Sequence, residues 1–213
     1  MAQINPPLTS GENRSGAAQN ILEVAGQLFA RSGYDGVSIN EIANEAGVSK
    51  ANIFHHFKSK KGLYLAALNK ACSLSAGVLE DNAVESSDDS SDRVRHFLSS
   101  HLEVLLQQPL ATRLIQRELL DGAEGNGKEL AEKVFAETFE KITDLVRDVQ
   151  AQGAIKSSID ASLLAFLMVG ANVFFFENRD LMAHLPGIDF AGAPDRYSEA
   201  VFELLAHGFE GQS

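Results

Sequence analysis

The sequence predicts an all-α protein, and three observations predict it. Apolar residues recur at i, i+3, i+4 and i+7 in one stretch after another, no alternating β pattern of any length appears, and Ser38 to Phe57 reads as two short helices joined at Gly47. Together they place a small three-helix unit carrying a helix-turn-helix at the N-terminal end, followed by a larger helical domain. The expected divisions are a mobile arm over 1–14, the helix-turn-helix domain over 15–58, and the effector-binding and dimerisation domain over 59–213.

The arm is rich in Pro, Asn, Ser and Gly and has no period. From about Ser15 a first helix carries Ile21, Val24, Ala25, Leu28 and Phe29 on one stripe and closes at Gly33. Ser38 followed three residues later by Glu41 makes a capping box, so a second helix starts there, with Ile39, Ile42, Ala43 and Ala46 on its apolar face. Gly47 supplies the left-handed residue that lets the chain turn without a Cβ penalty. Ser49 caps a third helix, on which Ile53 and Phe57 face inward while Ala51, Asn52 and His55 lie on the opposite side with His56 at its edge. A helix that offers short polar groups and Lys50 from its first turn is of the kind a major groove admits.

Ser59 caps a long helix running through Leu63, Leu68 and Val78 to about Asn82, and ESSDDSSD (85–92) reads as a linker. Val94, Phe97, Leu98, His101, Leu102, Leu105 and Leu106 mark a helix over 93–107 that stops at Pro109. Further helices are expected from about Leu110 to Leu120, from Lys128 to Gln152 with a stop at Gly153, and over Asp195 to His207 with Tyr197, Val201, Leu204 and Leu205 as its stripe. Between the last two, SLLAFLMVGANVFFF is apolar around nearly its whole circumference. Such a helix must be covered on all sides, most simply by its own core on one face and a second copy of the chain on the other.

Of the 213 residues 45% are hydrophobic, enough for a sizeable core, and the net charge of −11 argues against a chain that coats nucleic acid generally. The charge is uneven. Residues 1–62 hold six basic groups (Arg14, Arg31, Lys50, Lys58, Lys60, Lys61) and five acidic ones (Glu12, Glu23, Asp35, Glu41, Glu45), a balance of +1 that leaves −12 for the remainder. Between Ala46 and Lys61 there are four lysines, two histidines and no acid. A local basic patch on an acidic body favours targeted phosphate contact. The single cysteine, Cys72, fits a reducing compartment. No apolar run reaches the roughly 18 residues of a membrane span and no signal-peptide pattern is present, so a cytoplasmic protein without a membrane is expected.

Signals for chemistry are sparse. Gly122 to Lys128 imitates a phosphate-binding loop, but Glu129 stands where Ser or Thr would hold magnesium and a helix rather than a strand precedes it. His55 and His56 are adjacent and diverge by about 100° on a helix, which excludes a shared metal. No other Cys, His and acid grouping has ligand spacing, so no metal, cofactor or catalytic residue is expected. Arg113 and Arg117, one turn apart beside Glu118, together with His101, Phe139, Asn172 and Phe176, are the candidate effector-binding residues, in a cavity walled by phenylalanines including Phe97, Phe135, Phe166 and Phe174 that would suit a small anionic or amphipathic ligand. The competing account is that these arginines pair with surface acids and the phenylalanines are core.

The stretch FARSGYDGVSINEIANEAGVSKANIFHHFKSKKGLYLAAL (29–68) resembles the TetR family of bacterial transcriptional regulators, down to Gly33-Tyr34, Ser38, Ile42-Ala43, Ala46 to Ser49, Phe57, Lys60 and Leu63. The rest matches in helix layout, nearest the pyrimidine-responsive branch. The resemblance implies a homodimer joined through its last two long helices, a double-stranded DNA operator and a small-molecule effector as partners, and repression relieved by that effector. It places Lys50, Ala51 and Asn52 at base edges, Phe54, His55 and His56 at thymine methyls and phosphates, and Ser38, Asn40 and Lys60 at backbone contacts. Phe54 departs from a common Tyr and Ala51 from a frequent Gly. Against this stands a second reading, a helical small-molecule-binding or catalytic protein with a vestigial helix-turn-helix.

Overall fold

A computed structural model describes residues 10–79, 90–121 and 127–208, and among them every regular element is helical. Backbone contacts divide the chain into two units, the first built from residues up to Ala71 and again from Leu110–Gly125, the second from Cys72–Pro109 and from Asn126 onward.

In the first unit, α1 (Ser10–Ser32) sets Ile21, Ala25 and Phe29 one turn apart on a fully buried stripe. It begins at Ser10, inside the stretch expected to be a mobile arm. Once the apolar stripe has nucleated the helix, each residue added backward gains a hydrogen bond at little cost, and no proline interrupts 10–20. Residues 1–9 lie outside the described residues. Gly33, at φ 73°, closes α1 in the left-handed region. α2 (Ile39–Glu45) and α3 (Lys50–Phe57) follow, their buried faces formed by Ile42, Ala43 and Ile53. Asn20 Nδ2 donates to the Ala46 carbonyl (2.9 Å), fastening α1 to the end of α2. α4 (Lys60–Ala76) buries Leu63, Tyr64, Ala67, Leu68 and Ala71 and passes into a 3₁₀ turn, Gly77–Leu79. The rest of the helix expected toward Asn82 falls outside the described residues. α6 (Pro109–Asp121) joins this unit, with Leu114, Gln116 and Glu118 buried. Pro109 both ends the preceding helix and opens this one, the first turn being the place where its missing N–H costs nothing.

The second unit holds α5 (Ser90–Gln107), α7 (Gly127–Leu130), α8 (Ala136–Ala151), α9 (Ala161–Met182) and α10 (Pro194–His207). Val94, Phe97, Leu98, Ile142, Val146, Val149, Leu164, Met168 and Phe202 form its core. Three differences from expectation have physical reasons. Ser90 to Asp92, expected as linker, are helical: Asp92 lies in the first turn of α5, where a carboxylate meets the positive end of the dipole. The single helix expected from Lys128 is interrupted by a π turn over Ala131–Phe135, an insertion that periodicity does not reveal. On α10 Val201 and Leu205 pack half-buried against the core as expected, but the fully buried positions are Ser198, Phe202 and Ala206 and Leu204 is exposed; the Arg95 guanidinium lies 4.0 Å over the Phe202 ring and pairs with Glu199 and Glu203, so the polar side of α10 is drawn toward α5.

Helix α9 is buried on one side only. Leu164, Ala165, Met168, Asn172 and Phe175 face the core, whereas Leu163, Phe166, Leu167, Phe174 and Leu181 are exposed, Phe166 and Phe174 by 65% and 63%. Contrary to the reading that no apolar run has membrane length, Ala161–Met182 is long and apolar enough by length and composition to span one. Its inner face is nonetheless occupied by α5 and α8, and Asn172 at its middle is hydrogen-bonded into that packing.

Candidate functional site

The head is assembled by capping. The Glu41 N–H donates to Ser38 Oγ (3.1 Å) and the Ser38 N–H to Glu41 Oε2 (3.4 Å), completing the capping box of α2. Ser38 Oγ spends a lone pair there, so its O–H proton is still available to a phosphate. Asn40, in the same first turn, is exposed. Gly47 at φ 66° turns the chain, and Ser49 Oγ accepts from the Asn52 N–H (3.2 Å), starting α3 two residues later.

Helix α3 then divides sharply. Ile53 is fully buried and Phe57 half-buried, while Lys50, Ala51, Phe54 and His55 are exposed and Asn52 and His56 half-exposed. All six residues expected to meet bases, methyls or phosphates therefore lie on or beside the outer face. The two imidazoles touch edge to face, with centroids 5.2 Å apart, rather than converging on one point. Among the described residues no group of His, Cys, Asp and Glu could hold a metal ion.

Lys58 ends α3 at φ 65°, the one described non-glycine residue in the left-handed region, and the Ser59 N–H donates back to the Phe57 carbonyl (2.7 Å) across it. This tight turn sets the angle between α3 and α4, at a strain of roughly 1–3 kcal/mol. The Lys58 ammonium donates to the His55 carbonyl (3.1 Å), so it closes the recognition helix rather than reaching outward. Lys60 opens α4, and its ammonium lies 4.3 Å over the ring of Tyr34.

The residues expected around an effector are divided between the two units. Arg113 and Arg117 are in the first unit: Arg113 is exposed, and Arg117 donates to the Arg31 carbonyl (3.4 Å) and covers Gly33 so closely that a Cβ there would stand 2.9 Å from its Nε. Beside them Tyr64 Oη donates to the buried Glu118 carboxylate, and Gln116 keeps both amide atoms buried with no hydrogen-bond partner among the described residues. Phe166 and Phe174 point outward, so they wall no cavity.

In the second unit His101 and Asn172 do meet. Asn172 Nδ2 donates to the Leu98 carbonyl (2.9 Å) and lies 3.1 Å from His101 Nδ1. A carbonyl can only accept, which fixes the amide orientation and makes Nδ1 an acceptor as well. Burial pushes the imidazole down to about 4, so the ring is neutral near pH 7 with its proton on Nε2, and Phe97 stacks on it at 5.3 Å. Asn172 Oδ1 is buried with no hydrogen-bond partner among the described residues. Phe139 and Phe176 are half-buried, Phe139 packing against the core. Burial also pushes the Cys72 thiol up to about 12, which leaves no thiolate for redox chemistry near neutral pH.

Residues 21–67 match the model of bacterial regulatory proteins of the tetR family, and residues 91–200 match the tetracyclin repressor-like C-terminal domain. The chain belongs to the TetR family. Proteins of this family are bacterial regulatory proteins, and regulators of this family are not enzymes. Among curated TetR-family relatives it is 33% identical over 103 residues to the transcriptional regulator RutR of Escherichia coli K12, covering 48% of each chain. It is 32% identical over 77 residues to the repressor AcnR of Corynebacterium glutamicum (36% of this chain, 41% of the relative) and 33% over 96 residues to the activator FasR of Mycolicibacterium smegmatis (45% and 43%). The chain thus spans about half the length of the curated relatives it matches. Among solved structures, the Bacillus subtilis regulator FadR in complex with stearoyl-CoA superposes with a TM-score of 0.71 at 20% identity, over 90% of this chain and 99% of that one, which shows the TetR fold.

Sequence reasoning passed over two features of this TetR-family head. Tyr34 carries the Lys60 ammonium on its face, and Tyr64 reaches Glu118 across 54 residues. The adjacent Gly33-Tyr34 pair was a signal for the first; nothing in local pattern marks the second.

Proposed function

We propose that the chain is a cytoplasmic, homodimeric repressor that holds a quasi-palindromic operator and is released from it by a small, uncharged effector. The observation that carries the reading is the division of α3. Its inner face is locked by Ile53 while Lys50, Ala51, Asn52, Phe54, His55 and His56 are left for the groove, with Ser38, Asn40 and Lys60 nearby for the backbone. Phosphate contacts hold the head in register, and contacts at base edges choose the sequence. Lys60→Ala therefore weakens binding at every sequence, whereas Asn52→Ala mainly relaxes base preference, as measured by mobility shift on a selected operator and its single-base variants. Two mutants that bind like the native protein would displace the reading head.

The dimer is supported by the exposed side of α9. Leu163, Phe166, Leu167 and Phe174 form an apolar face too large to leave in water, and a second copy covers it with the same residues in a two-fold arrangement. The effector is placed at His101 and Asn172, with Phe139 and Phe176 as apolar wall. The unpaired Oδ1 accepts from a ligand O–H or N–H, and the neutral imidazole gives no cation to a carboxylate. Helix α4, whose residues contribute to both units, is the element through which the effector's preference for the non-binding state reaches the head. A hydroxyl- or amide-bearing neutral compound is the class that the residues of this chain favour.

A further inference from the structure

Lysine is a poor phosphate ligand unless it is held. Its four-carbon stem gives up rotamer freedom when its head is fixed, and the usual fixing partner, a carboxylate, would cancel the charge the phosphate needs. Lys60 has a different partner. Its ammonium lies 4.3 Å from the centre of the Tyr34 ring. A π face attracts a cation through its quadrupole and leaves the full positive charge available to a third group.

The ring is itself rigidly held. It stacks on Phe29 with centroids 6.2 Å apart at 24° and meets Tyr64 edge on at 5.0 Å, while Phe29 and Tyr64 meet edge to face at 4.9 Å. Phe29 and Tyr64 are buried, and the Tyr64 hydroxyl is fastened to Glu118 of α6. Gly33, left-handed at φ 73°, is what folds Tyr34 back over Phe29, and Arg117 covers that turn. Three aromatic side chains from α1, the following turn and α4 thus form a platform whose outer member carries the lysine.

We propose that Tyr34 is a positioning residue for operator binding: its ring face holds the Lys60 ammonium at the start of α4, charged and preorganised for a DNA backbone phosphate. The inference rests on the reading above that Lys60 meets the backbone. It assigns to Tyr34 a share of affinity without any contact to DNA.

The test uses the full-length protein and its selected operator, with fluorescence anisotropy followed between 50 and 200 mM salt and thermal unfolding recorded in parallel. Lys60→Ala is expected to lower the log–log salt slope by about one. Tyr34→Phe keeps the ring and binds like the native protein, while Tyr34→Leu weakens binding about two- to fivefold in the chain that keeps Lys60 and has no further effect in the Lys60→Ala chain. Tyr34→pentafluorophenylalanine keeps the ring's shape but reverses its quadrupole, so it should lose affinity as Tyr34→Leu does even if the leucine variant folds poorly. If Tyr34→Leu and the fluorinated ring weaken binding equally in both backgrounds, or leave it unchanged while Lys60→Ala is impaired, the positioning role is wrong. If Lys60→Ala itself binds like the native protein at every salt concentration, the reading of the head fails and the positioning role with it.

Discussion

Asn172 does three things with one amide. Its two N–H groups are spent on Leu98 and His101, and its carbonyl oxygen is left buried without a hydrogen-bond partner among the described residues. An acceptor of that kind costs about 1–3 kcal/mol, a cost that the effector proposed above would recover by donating to it. Asn172→Leu should therefore keep basal repression in a reporter strain and shift the inducing concentration upward by about tenfold or more, by the same magnitude. Unchanged induction would place the effector elsewhere. Such a pairing is illegible in sequence, because its partners are 71 and 74 residues apart and no local rule joins them. Ser38 and Glu41 are the opposite case: a contact three residues long is decided by side-chain reach alone, and the expected capping box is present in full. Arg113 and Arg117 show the limit from another side. Their spacing announces a pair, but only the fold reveals that Arg117 is committed to the turn at Gly33.

At the level of elements, α2 and α3 were legible to within a residue or two because serine caps open both and the left-handed Gly47 closes α2, whereas the end of α3 at Lys58 has no such mark. Elements without punctuation were less so. The start of α1 at Ser10, the π turn at Ala131–Phe135 and the inner face of α10 depend on helix propagation and on tertiary packing, neither of which leaves a period in the chain. The junction of α5 with α9 has its own consequence. His101 sits in it with its folded value depressed to about 4, against 6.5 for the free side chain. Between those values the unfolded chain binds a proton that the folded chain refuses, so stability is full above pH 6.5 and falls as pH drops toward 4, by about 3 kcal/mol. Urea unfolding from pH 7 to pH 4 should show that loss, and His101→Gln should remove much of it. A His101→Gln protein with an unchanged slope between pH 6.5 and 5 would mean that the imidazole is solvated.

Across the whole molecule, charge and apolar surface are unevenly spread, and each unevenness has a use. The net charge is −11, yet residues 46–61 hold four lysines and no acid, so attraction to DNA is confined to the head and repulsion elsewhere discourages unspecific adhesion. Among the described residues the two most exposed large apolar side chains, Phe166 and Phe174, lie on one helix, where the proposed second copy would bury them. That helix was legible as needing cover on all sides; which of its faces the chain covers itself was not, since an all-round apolar pattern has no direction. In the proposed dimer two such heads, fixed by that interface, read one operator together.

The most direct measurement is selection of double-stranded DNA by the purified full-length protein, followed by footprinting and by mass determination of the complex for the native chain and for Phe166→Glu. The account predicts two inverted half-sites whose centres lie about 34–36 Å apart, or a multiple of that, bound by dimers, with the substitution yielding monomers that lose the site. A single unrepeated half-site bound equally well by native and Phe166→Glu protein, or no enriched sequence at all, would contradict it.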